Sequence, residues 1–206
     1  MNRTLFKQID KAREEQREVM ETKMNMNEWK NLKPYWTYVD MDGVIADFFG
    51  GLEKFYNVAH WKDIQNKNKT IAELKGTDFF YQLEPFSTSK RLISFVNIVS
   101  QGDWGINSSP LRGDRDNSVY WKRRWLEKHD MMPNVHNLVF TSTKEKYAWS
   151  VLDGMPNILI DDKPENIKRW QDKGGIGIRY QANQDDLKEY LFVEIKDALG
   201  GGPVDG

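Results

Sequence analysis

The stretch Trp36-Thr-Tyr-Val-Asp-Met-Asp-Gly-Val-Ile-Ala-Asp47 decides the fold. Pro34 ends whatever precedes it, and Trp36 to Val39 are β-formers in a run of the length of a buried strand. The run stops at three aspartates, Asp40, Asp42 and Asp47, spread over a glycine-containing turn. Comparable short apolar runs recur at Trp104 to Asn107, Asn137 to Phe140 and Asn157 to Ile160, with Ile176 to Arg179 as a fifth strand candidate. Helical patterns lie between them. Leu92, Phe95, Val96 and Val99 share one face; Trp121 and Trp125 stand at i,i+4; Ile167 and Trp170 follow Pro164; Leu187, Leu191 and Ile195 line the last helix. Strands alternating with helices imply an α/β fold, a parallel sheet covered on both faces.

The interval between the first two strands exceeds 60 residues, about twice a simple strand–helix–strand unit. Its excess carries Leu52, Phe55, Tyr56, Trp61, Ile71, Leu74 and Phe79 to Tyr81, so it is expected to fold, as a small helical insert over residues 49–86. The remaining divisions are a charged helical arm over 1–33, a sheet domain over 34–48 and 87–199, and a glycine-rich disordered tail over 200–206.

Composition removes whole classes of function. Thirty Lys+Arg against 31 Asp+Glu leave no basic field to gather polymeric nucleic acid or an anionic membrane. The absence of cysteine excludes disulfides, thiolate zinc sites and a cysteine nucleophile, and fits a reducing compartment. No apolar run reaches the roughly 20 residues that span a bilayer, and Glu14, Glu15, Glu18 and Glu21 are too acidic for a transit peptide. The expected location is cytoplasmic. The 8 Trp, 8 Tyr and 10 Phe imply a ring-rich interior or pocket.

In an open α/β sheet ligands bind beyond the carboxyl ends of the strands. The first strand is followed by Asp40 to Asp47, the second by Ser108-Ser-Pro110, the third by Thr141-Ser-Thr-Lys144 and the fourth by Asp161-Asp-Lys-Pro164. Each alone is ordinary: an aspartate after a strand is usually a helix cap or turn, and a lone lysine is usually solvated. Together they set acidic, hydroxyl and cationic groups on one rim, where mutually repelling carboxylates need compensating cations. Lys144 and Lys122 supply two. A hard dication supplies the rest, and with no Cys and three scattered His, Mg²⁺ suits the oxygen donors. Phosphoryl transfer through an aspartyl-phosphate on Asp40, with Asp42 as general acid and base, is the chemistry this set can perform.

Asp40-Met-Asp-Gly-Val-Ile-Ala-Asp-Phe48 resembles the first motif of the haloacid dehalogenase-like (HAD) phosphohydrolases, and in this wording the 5'(3')-deoxyribonucleotidase family. Phe79-Phe-Tyr-Gln-Leu-Glu-Pro85, Ser108-Ser-Pro110, Lys122-Arg-Arg-Trp-Leu-Glu-Lys-His129 and Leu159-Ile-Asp-Asp-Lys-Pro164 are similar to later motifs of that family. The resemblance implies a Rossmann-like doubly wound core with a helical cap inserted after the first strand. It implies Asp40 as nucleophile and Asp42 as general acid/base. Mg²⁺ would be held by Asp40, the Asp42 backbone carbonyl and the pair Asp161/Asp162. Phosphate would be held by Ser108, Ser109, Lys122 and Lys144, with Lys146 the alternative to Lys144, and Phe48, Trp61, Phe79 and Phe80 are base or sugar pocket candidates. The implied substrate is a deoxyribonucleoside 5'- or 3'-monophosphate, a small-molecule nucleotide, and the candidate assembly is a homodimer. Competing readings are a phosphatase for another small ester or a polynucleotide 3'-phosphate end, and a non-catalytic scaffold of the same fold.

Overall fold

The computed structural model describes residues 35–65, 67–151 and 154–199. The expected N-terminal arm and glycine-rich tail lie outside the described residues. Five parallel strands form one sheet: β1 (Thr37–Val39), β2 (Trp104–Ser108), β3 (Leu138–Phe140), β4 (Ile158–Asp161) and β5 (Ile176–Arg179), in the order β3-β2-β1-β4-β5. The helices are α1 (Phe48–Tyr56), α2 (Lys67–Glu73), α3 (Phe79–Gln82), α4 (Ser89–Val99), α5 (Arg115–Lys128), α6 (Pro164–Asp172) and α7 (Val193–Ala198), with 3-10 turns at Trp61–Asp63 and Lys144–Tyr147.

The register sets which residues share a face. Val39 lies between Ile106 and Ile160, and these three join Ile158, Ile178 and the apolar sides of α4, α5 and α7 in the larger core cluster. Tyr38 lies beside Leu159 and points the other way, into a smaller cluster with Ala148, Ile167 and Trp170. Period-two alternation along β1 therefore feeds two hydrophobic layers, so helices must cover both faces of the sheet.

The two ends of the segment expected as an insert meet beside β1. The Asp47 amide donates to the Glu84 carbonyl (2.9 Å), the Phe86 amide to the Ile45 carbonyl (3.2 Å), and Ala46 bridges Pro85 in antiparallel sense. Asp47 also caps α1, its Oδ1 accepting from the Gly50 amide at 2.9 Å. The third aspartate of the opening stretch therefore acts at a helix start. The last helix begins as a wide π-helical turn, Leu187–Phe192, and continues as α7, which buries Leu187, Leu191 and Ile195 together. Among the described residues no helix is long and apolar enough to cross a membrane.

Candidate functional site

The strand order reverses at β1, whose neighbours are β2 and β4, and the crevice at such a switch point is where open α/β sheets bind ligands. Asp40 follows β1 and Asp161 ends β4, so two carboxylates arrive on adjacent strands at this crevice. The Asp40 amide donates to the Ile160 carbonyl at 2.9 Å, carrying the ladder one residue past β1. Asp162 comes next, and carboxylate oxygens of Asp40, Asp161 and Asp162 lie within 4.8 Å of one another, all three residues buried. Gly43 makes this approach possible: its φ is +79°, and a Cβ there would fall 2.7 Å from Asp162 Oδ2.

Two fully buried lysines answer these charges. Lys144 Nζ stands 2.5 Å from Asp161 Oδ2 and 3.0 Å from Asp40 Oδ1, whereas Lys146, the alternative, is exposed. Asp40 Oδ1 also accepts from the Met41 amide at 2.8 Å. Both donors use Oδ1, and among the described residues no hydrogen bond is made to Oδ2. Lys122 Nζ donates to Asp42 Oδ2 (2.6 Å), Ser108 Oγ (2.9 Å) and the Ser109 carbonyl (3.0 Å), and lies 4.6 Å above the Phe80 ring. Asp42 thus gives Oδ2 to Lys122, which leaves its Oδ1 buried and without a hydrogen-bond partner among the described residues. The Ser109 hydroxyl donates to the Thr141 carbonyl at 3.3 Å.

Protonation follows from this arrangement. Burial pushes Asp40 up, but Lys144, Lys122 and Lys163 outweigh it and hold its carboxyl below the ordinary range. Burial and the adjacent Asp40 raise Asp161 despite Lys144. Asp162 is pushed up to about 8 by burial and by Asp40 and Asp161. Lys144 is raised because Asp40 and Asp161 overcome its desolvation. A dication fits this donor set: among the described residues Asp162 Oδ1 and Asp42 Oδ1 are buried without a partner, and every candidate ligand is a hard oxygen.

Two contributors were not read from the sequence. Asn166 Nδ2 donates to both oxygens of Asp161, at 3.1 and 3.0 Å, and the Lys163 amide donates to Asp161 Oδ1 at 2.9 Å. Lys163 carries a third positive charge to the site, its pKa lowered by burial but raised further by Asp40, Asp42 and Asp162. Their signal was position, one and four residues after the acidic pair on the turn into α6. The ring candidates separate. Phe79 and Phe80, expected as pocket walls, are 4% and 3% exposed core residues packed at 5.4 Å, which leaves them little free face. Phe48 is half-buried against both, and half-buried Trp61 packs on Phe49 at 4.8 Å.

The model of the family described as 5' nucleotidase, deoxy (pyrimidine), cytosolic type C protein matches residues 35–190, a span holding every site residue above. The chain belongs to this family. Similar curated proteins are the mitochondrial 5'(3')-deoxyribonucleotidases of Mus musculus, 27% identical over 148 residues, and Homo sapiens, 25% identical over 148 residues. Each alignment covers 62% of this chain, and it covers 64% of the mouse and 61% of the human protein, so the chain spans less than two thirds of these relatives. Among solved structures, a hydrolase from Streptococcus pneumoniae TIGR4 matches 82% of this chain and 100% of its own, at 15% identity and a TM-score of 0.44.

Proposed function

We propose that this nucleotidase-family chain is a Mg²⁺-dependent phosphomonoesterase that hydrolyses deoxyribonucleoside 5'- or 3'-monophosphates through an aspartyl-phosphate. The observation that carries the reading is the asymmetric hold on Asp40: Lys144 and the Met41 amide both engage Oδ1, which leaves Oδ2 as the attacking oxygen. Oδ2 forms a bond to phosphorus as the bond from phosphorus to the sugar oxygen breaks, and Asp42, having taken a proton from solvent once the phosphate draws Lys122 away, gives that proton to the sugar oxygen. Asp42 then takes a proton from water, which attacks phosphorus, releases phosphate and restores Asp40.

Lys122, Ser108 and Ser109 hold the phosphate oxygens. In the free protein Lys122 is paired with Asp42, so an arriving phosphate competes for the ammonium and releases Asp42 for proton transfer. Asp40, Asp161, Asp162 and the Asp42 carbonyl would hold Mg²⁺. When bound, the ion supplies the positive charge that four carboxylates and three lysines lack once a phosphate dianion enters. The insert over 49–86 acts as the cap that limits substrates to small molecules, with Phe48 and Trp61 nearest to serving the base. The cytoplasm and a homodimer complete the proposal.

Phosphate release measured across 5' and 3' deoxy- and ribonucleotides, with Mg²⁺ and with chelator, tests it. Metal-dependent turnover of deoxyribonucleoside monophosphates is expected, and Asp40→Asn abolishes it. Turnover that survives in Asp40→Asn overturns the mechanism, and no release from any nucleotide overturns the function.

A further inference from the structure

Helix α5 has two working faces. Ser118 and Lys122, at i and i+4, face inward: Ser118 Oγ accepts from the Leu111 amide at 3.0 Å, and Lys122 reaches Asp42. The adjacent stripe runs Asp114, Asn117, Trp121, Trp125 and Lys128, with steps of three and four residues, and it is turned to the insert's returning leg, residues 74–83.

That stripe is bonded to the leg along its length. Asp114 Oδ2 accepts from the Gly76 amide at 3.0 Å and from Asn117 Nδ2 at 2.9 Å. Asn117 Nδ2 also donates to the Thr77 carbonyl at 2.9 Å, and Asn117 Oδ1 accepts from Trp121 Nε1 at 3.0 Å. Trp121 packs on Tyr81 at 5.5 Å, Lys128 stands 4.8 Å over the same Tyr81 ring, and Trp125 Nε1 donates to the Leu83 carbonyl at 2.7 Å. Asn117 is the node. Its amide joins the leg's backbone, the helix cap residue and a tryptophan on the next turn, using both its donor and its acceptor ends.

The leg so fastened contains Phe80, whose ring lies under the Lys122 ammonium. Lys122 is therefore located from two sides, by its own helix and by the aromatic ring of the leg bonded to that helix. We infer that Asn117 is a positioning residue, fastening residues 74–83 to α5 and thereby fixing Lys122 where it meets Asp42, Ser108 and the substrate phosphate. The role rests on the function proposed above. It follows that the returning leg stays with the sheet domain.

The test pairs Asn117→Ala with Asp114→Ala, which removes the oxygen that collects two donors. Amide hydrogen exchange over 74–83 reads the fastening itself, and steady-state kinetics with the best deoxynucleotide reads Lys122. Expected are faster exchange in that segment and a kcat lower by roughly ten- to a hundredfold with KM changed far less, the scale on which small displacements of a reacting group act. Thermal midpoints near wild type keep loss of fold from explaining the result. If Asn117→Ala does not fold, Asp114→Ala alone decides. Unchanged exchange overturns the fastening, and faster exchange with unchanged kcat overturns the link to Lys122. Wild-type protein that turns over no nucleotide overturns the functional reading and the positioning role with it, while exchange still reports whether the leg is held.

Discussion

Asn107 shows what a single buried residue costs. It is fully buried in β2, and among the described residues neither end of its amide has a hydrogen-bond partner. The register that pairs Val39 with Ile106 sets Asn107 one step on, level with Asp40. Read as the end of an apolar run, this position looked like any other strand residue, because a sequence gives no count of available partners. Leaving such a group unpaired costs on the order of 1–3 kcal/mol, whereas an apolar residue of similar size costs nothing there. Asn107→Val is therefore expected to raise unfolding free energy by about 1 kcal/mol in urea titrations. A loss of stability of similar size would show instead that ordered water satisfies the amide.

Elements were legible where pattern alone builds them and less so where function intrudes. Ile176 to Arg179 was bounded at both ends, and Leu92, Phe95, Val96 and Val99 all turn inward on α4. β2 and β4 each run one residue beyond the apolar reading, to Ser108 and Asp161, because a polar site residue stays in the backbone ladder while its side chain leaves the core. Phe79 and Phe80 could not be told from pocket walls, since core and pocket draw on the same rings. Helix α5 carries a further, titratable example at its end. His129 packs on Trp125 at 4.6 Å, its Nε2 is buried without a partner among the described residues, and desolvation, helped by Lys128, lowers its pKa from 6.5. The unfolded chain therefore takes up this proton before the folded one does, so the stability His129 allows above pH 6.5 is lost as pH falls toward the folded value. Thermal midpoints of wild type and His129→Phe, compared from pH 7.5 to 5.5, should diverge with wild type losing more; parallel curves would refute the assignment. The comparison is between variants because Asp162 titrates over the same interval with opposite sign.

At the scale of the whole molecule, a net charge of -1 conceals a local conflict: buried carboxylates from two adjacent strands converge where the sheet order reverses. Which strand ends share a rim was readable from motif order, but the distances, and the entry of Lys163 and Asn166, required the chain to be folded. On the function proposed above, such a site trades metal-free stability for metal binding. With its pKa pushed up to about 8, Asp162 must take up a proton when the chain folds at neutral pH; Asn removes that cost, so Asp162→Asn should melt several degrees higher than wild type without metal. In wild type, Mg²⁺ at about a hundred times its Kd should raise the midpoint by roughly 5–10 °C, as follows from about 2.7 kcal/mol of linkage in a chain of this size. In the variant less than half of that rise should remain. Differential scanning calorimetry with Mg²⁺ and with chelator gives all four midpoints. An unchanged metal-induced rise in Asp162→Asn would remove Asp162 from the ion's surroundings, and a lower metal-free midpoint would mean that its carboxylate is already compensated by the protein alone.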